Sequence, residues 1–352
     1  MALNITKSIP LNHNATSIAL VNHHVVTTTG MDDFSVLYNT QNIQHEPAGM
    51  IQLSGSSGRN KSLFAAGGTL VELMDSGNQA LIMYAGVAVN LSFSFRQIQD
   101  IAVSSDGEHV AFVVADLSAN LDLNYYEQVD NLYILQLEPF FASVMAADES
   151  GQAPTLIGES KYGVDLGLKR EDSSLLQAAG ALQTVRTVYN ASHNGQHKTL
   201  IFNLCSVAFV PNSNLLFLTG INQRILTALL VDDSGDLIHL EAFKSIQYTG
   251  TDNRSCSNGQ FAYSVSSHRN ELYGYDIENQ TASCIEVVGK SLIDVTVYKN
   301  QFYILAFNIE KEVFELLDKD MNLIYQNNSI SELASSEDYL ALLMDKTVQL
   351  LQ

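Results

Sequence analysis

The chain has 352 residues, of which 46% are hydrophobic, and 38 acidic against 18 basic side chains leave a formal net charge of -20. The hydrophobic share excludes disorder over most of the length. So few Lys and Arg exclude a phosphate-tracking nucleic-acid surface or an electrostatic hold on an anionic membrane.

In chain order, short apolar or alternating segments are punctuated by turn residues. The N-terminal residues MALNITKSIPLNHNATSIAL lack the apolar core of a signal peptide. No run reaches the roughly 18 apolar residues that span a bilayer. A cytoplasmic protein without membrane insertion, alone or in a larger complex, is the expectation. Residues 4–10, ITKSIPL, form one spare strand. SIALVN, HHVVTTTG, FSVLYNTQ and NIQHEPAG fit a four-stranded unit over residues 17–49, and MIQLSGSSGRN, KSLFAAGG, TLVELMDSG and NQALIMYAG another over 50–86.

RQIQDIAVSSDGEHVAFVVAD opens a third unit with its turn at Asp106-Gly107. That unit continues in DNLYILQL and closes with PTLIGES after two insertions. SSLLQAAGA, LQTVRTVYN and HKTLIFN form a fourth, with a weak first strand near residues 162–170. Three clear copies follow about 40 residues apart: CSVAFVPNS to DLIHLEAF, then residues 247–289, then 290–329. The last segments, ISELASSED, YLALLMD and KTVQLLQ, are only three strands. Residues 140–148 and 171–183 are helical by composition alone.

Four-stranded units of 40–45 residues point to a β-propeller, because one such sheet cannot bury both faces and must stack on neighbours. The expected fold is all-β: a single propeller domain over residues 1–352, with seven or eight blades. The spare N-terminal strand would complete the three-stranded C-terminal blade and remove its open edge. A solenoid or two stacked sandwiches is the structural alternative. Residues 100–116, DIAVSSDGEHVAFVVAD, resemble a blade start of WD40-like and TolB-like propellers, in which a Ser-x-Asp-Gly turn joins two strands. The Gly-His and Trp-Asp signatures of true WD40 repeats are absent, and there is no Trp. The resemblance implies a fold rather than a function.

Cys205, Cys256 and Cys284 are too few for a disulfide framework and are expected as thiols. His193 and His197 share helical ligand spacing, but the intervening Asn194-Gly195 makes a turn pair the better reading. DDSGD at 232–236 and DKDMN at 318–322 gather oxygens without the twelve-residue calcium loop, so they read as hairpin turns. No nucleophile elbow or phosphate loop occurs. Neither metal nor cofactor is expected. Propeller lactonases line their channel with charged groups, and Arg254 and Asp294 are the candidates for such a site here.

The two insertions of the third unit carry the functional expectation. Residues 117–129 join its second and third strands and residues 139–153 its third and fourth, both far longer than ordinary hairpin loops. Tyr125 and Tyr126, collared by Asp122, Glu127 and Asp130, and the pair Phe140 and Phe141 are the candidate partner contacts. The function expected is a non-enzymatic protein-interaction or assembly module whose partner carries a basic patch. A structural subunit of a large assembly and a lactonase-like hydrolase are the alternatives.

Overall fold

The structure, a computed structural model, describes residues 3–352 except 30–33, 42–48, 53–59, 75–76, 94–95, 117–129, 150–160, 166–180, 187, 194–195, 202, 223–224, 248–252 and 267–268. Its strands form seven antiparallel meanders of four strands, one after another along the chain, with a fifth strand added to the second. The innermost strands are Ala15–Val21, Asn60–Ala66, Arg96–Val103, Asn203–Phe209, Asn253–Ser257, Lys290–Tyr298 and Ile330–Ser335. These define blades 1 to 7. Each inner strand touches the next, and the seventh touches the first, so the sheets close into a ring.

Strand alternation explains the core. In the second strand of blade 3, Val110, Phe112 and Val114 face blade 2, while Ala111 and Val113 face blade 4. Every neighbouring pair of blades encloses an apolar layer of this kind. Both faces of each sheet are thereby buried, which is why the strands read as near-continuous apolar runs such as Leu340–Met344.

The chain's two ends meet in blade 7. Ile5–Pro10 pairs antiparallel with Thr347–Leu351, which pairs in turn with Leu340–Met344. Ile9 and Leu11, 1% and 7% exposed, enter the layer between blades 7 and 1. The expected closure is therefore present.

The blade number is seven. Among the described residues, the stretch read as a further unit over residues 162–203 does not form a blade of its own. Lys161–Asp165 adds in parallel to the outer strand Val87–Ser92 of blade 2, and Leu182–Arg186 is the fourth strand of blade 3. Val188–His193 and Gln196–Ile201 form a separate hairpin. The expected closing strand of blade 3, PTLIGES, lies outside the described residues. Blade 1 keeps its first three expected strands but closes with Gly49–Gln52, and blade 2 is phased one strand later than expected, with Val87–Ser92 as its fourth strand. Apolar strands look alike in sequence, and only their pairing shows which sheet they join.

The second insertion of blade 3 opens with the helix Leu137–Glu149. Phe140, Phe141 and Val144 pack onto the layer between blades 2 and 3, with the Phe141 ring 5.4 Å from that of Tyr84.

Candidate functional site

One position recurs around the channel. In six of the seven inner strands the pairing register slips by one residue, and the residue after the bulge is Ser17, Ser62, Asp100, Ser206, Asp294 or Glu332. A bulge re-aims the following side chain. At five of these six positions that side chain bonds to the next blade. Asp100 Oδ2 accepts from the Val207 N–H at 2.9 Å, and Asp294 Oδ2 from the Leu333 N–H at 3.1 Å. Glu332 accepts from the Ser17 hydroxyl and the Ile18 N–H, both at 3.0 Å. Ser17 Oγ in turn accepts from the Leu63 N–H at 3.0 Å. In blade 5, whose inner strand is unbulged, the hydroxyl of Ser255 meets that of Ser206 at 2.5 Å.

Arg254, on the inner strand of blade 5, extends to the opposite side of the ring. Its Nη2 lies 3.5 Å from Ser62 Oγ, and its guanidinium sits 5.1 Å from the Phe64 ring centroid, both in blade 2. Burial pushes Asp100 up to about 7 and Glu332 up to about 8, against the opposing pull of the Arg254 charge. Asp294 is raised for the same reason. Asp294 and Glu332 keep some exposed surface, yet desolvation is the largest influence on both. The arrangement holds three carboxylates around one guanidinium, each raised by burial.

At the end of the ring where first strands turn into second strands, a cavity of about 670 Å³ opens. It is built from the turns of blades 1, 2, 3, 6 and 7, among them His23, Gly67, Ser105, Lys299, Glu337 and Asp338. Leu20, Val297 and Ser335 in its wall lie three residues beyond Ser17, Asp294 and Glu332 on the same strands. The carboxylates are therefore about 10 Å deeper along the axis. Two of the turns are locked to each other: Thr69 Oγ1 donates to the Gly107 carbonyl at 2.7 Å.

No protein-family model matches the chain, and no curated protein matches it in sequence. Among solved structures, the β-propeller domain of Cps50 (Swd1) from Myceliophteria thermophila superposes with a TM-score of 0.57 over 99% of each chain, at 12% identity. The chain is a β-propeller. The fold is shared with 1013 matching chains, so it does not by itself select among propeller functions.

The propeller places the sequence-derived candidates as follows. Arg254 and Asp294 act on each other electrostatically from their inner strands, as do Asp100 and Glu332, which the sequence alone does not single out. Asp122, Tyr125, Tyr126 and Glu127 lie outside the described residues. Asp130 begins the third strand of blade 3, opposite Ala115. The anchors of segment 117–129 are thus at the end of the ring opposite the cavity. Phe140 and Phe141 are corrected: both are core residues, 0% and 5% exposed, because the helix turns them onto blades 2 and 3. They offer no surface to a partner.

Residues 193 and 197 sit on opposite strands of a hairpin, as a turn pair would. In the DKDMN turn, Asp318 accepts from the N–H groups of Asp320 and Asn322, so its oxygens close the hairpin. In DDSGD, Asp232 accepts similarly from the Asp236 N–H. Among the described residues no cluster of three His, Cys, Asp or Glu is arranged to hold a metal, and no helix is long and apolar enough to cross a membrane.

Proposed function

We propose that this propeller is a non-enzymatic interaction or assembly module that holds a basic partner segment at the cavity end. The observation that carries this reading is the cavity itself. Five blades contribute turns to it, so it exists only in the closed ring, and Glu337 and Asp338 make one wall acidic. With a chain charge of -20, a basic partner would be steered toward the protein. Segment 117–129, with Tyr125 and Tyr126 among Asp122, Glu127 and Asp130, is proposed as a second contact, at the opposite end. The test is partner capture by Glu337→Lys/Asp338→Lys and by Tyr125→Ala/Tyr126→Ala, each normalised to folded protein. Loss of capture in the first variant supports the cavity. Capture equal to wild type in both variants contradicts the reading.

A specific observation favours a second reading. Carboxyls that burial raises toward neutral pH, as it does Asp100 and Glu332, are suited to general acid–base work, and a lactonase-like hydrolase would use them with Asp294 and Arg254. Against it, each carboxylate already serves as a bond between blades. Hydrolysis of lactone or ester substrates that is abolished by Asp294→Asn would favour the enzyme.

A further inference from the structure

Blade 7 is assembled from both ends of the chain, and a carboxylate fastens it on each side. On its blade 6 side, Asp294 accepts from the Leu333 N–H at 3.1 Å. On its blade 1 side, its own Glu332 accepts from Ser17 and Ile18 at 3.0 Å. The other inter-blade bonds of the recurring position in blades 1 and 4 come from hydroxyls, at Ser17 to Leu63 and Ser206 to Ser255. Asp100 is the third carboxylate, between blades 3 and 4.

We infer that Asp294 and Glu332 form a proton-sensitive clasp on the closing blade, tight when the channel carboxyls share protons and loosened when all of them ionise. The charge count supports this. Three carboxylates face one guanidinium, that of Arg254, whose charge acts on all three. Full ionisation therefore leaves, among the described residues, two more negative than positive charges at this position. The inner strands of blades 1, 2 and 4 bring only the hydroxyls of Ser17, Ser62 and Ser206 to this position. Blade 5 adds Cys256, whose thiol is raised well above its ordinary value by burial and then by Asp294, so it stays neutral. Asp294 raises both Asp100 and Glu332, so the three are coupled.

The sign follows from linkage. The folded-state values, about 7 for Asp100 and about 8 for Glu332, lie above those of an unfolded chain. The folded state then binds more protons than the unfolded one, and stability falls as pH rises from the unfolded carboxyl range near 4 up to the folded values, levelling off above them. Each proton held contributes about a tenfold fall in the folding equilibrium constant per pH unit.

The test is equilibrium unfolding of the full chain between pH 6 and 9, for wild type and Glu332→Gln. The glutamine keeps an acceptor for the Ile18 N–H but cannot ionise. From pH 6 to about 7 wild type should lose stability with rising pH and Glu332→Gln should show a slope shallower by about one proton, the difference fading as pH passes 8. Hydrogen exchange should show Ile330–Ser335 and Ile5–Pro10 losing protection with pH relative to Asn60–Ala66. Identical slopes in the two proteins, or no selective loss in blade 7, would overturn the clasp. Should Glu332→Gln fail to fold, carboxyl titration of labelled wild type by NMR decides. Midpoints above pH 6 support the inference, and midpoints near 4 overturn it.

Discussion

Gly67 turns between the first two strands of blade 2 at φ +54°, in a conformation that L side chains rarely adopt. A Cβ there would lie 2.1 Å from the Asp106 carbonyl carbon of blade 3, so the backbones of two blades meet at this point. Gly86 has φ +81° but open space around it. Gly67→Ala should therefore cost about 2 kcal/mol or more, from strain plus displacement of the neighbouring turn. Gly86→Ala should cost only the local strain of about 1 kcal/mol. Urea unfolding of both variants checks the contrast, and equal losses would show that the inter-blade contact does not resist movement. At the same scale, Arg254 and Asp294 were legible in sequence as charges on inner strands, whereas Asp100 and Glu332 were not. The recurring signal was an apolar residue, a bulged residue, then Asp, Glu or Ser before another apolar residue, as in Ile98–Ile101, Leu292–Val295 and Ile330–Leu333. Acid and hydroxyl interchange at that position, and without the bulge a strand residue there reads as merely surface-polar.

At the scale of elements, the strand Ile5–Pro10 has the largest consequence. Its removal with residues 1–12 strips Ile9 and Leu11 from the layer between blades 7 and 1 and exposes the edge of Thr347–Leu351. Two buried aliphatic side chains contribute roughly 3–6 kcal/mol, comparable with the whole stability of an ordinary domain. The truncated chain should aggregate or melt far below wild type, and a truncation that melts like the full chain would contradict the closure. The helix supplies a second contrast. Phe140→Ala should cost about 3–5 kcal/mol by opening a cavity against blades 2 and 3. Tyr125→Ala/Tyr126→Ala is expected to leave melting nearly unchanged. Sequence reading paired the phenylalanines with the tyrosines as partner contacts because an aromatic pair in a long insertion looks the same whether it faces solvent or core. The blades from Asn203 onward were legible strand by strand, because their turns, such as Asn258-Gly259 and Ser234-Gly235, follow a regular rhythm. Before residue 203 the helix, the parallel strand Lys161–Asp165 and the extra hairpin break that rhythm, which is why the sequence leaves the blade number open between seven and eight. Strand order also separates two of the thiols. Cys256 lies on the inner and Cys284 on the outer strand of blade 5, three strand steps or about 14 Å apart, too far for a disulfide.

At the scale of the whole molecule, a ring with seven buried layers and both chain ends in one sheet is a rigid body. Its two ends differ: one holds the cavity, the other the anchors of segment 117–129. Such a body suits holding a partner in a fixed orientation. With a net charge of -20, association with a basic partner should slow as salt rises through the range where the Debye length falls to about 10 Å. The most direct test is the native mass of the chain in lysate of its own host, at low and high salt, alongside its turnover of ester and lactone substrates. The binding account predicts a stoichiometric complex at low salt that dissociates as salt rises, and no turnover above background. A chain that migrates alone at both salts, and hydrolyses a substrate in a manner abolished by Asp294→Asn, would contradict it.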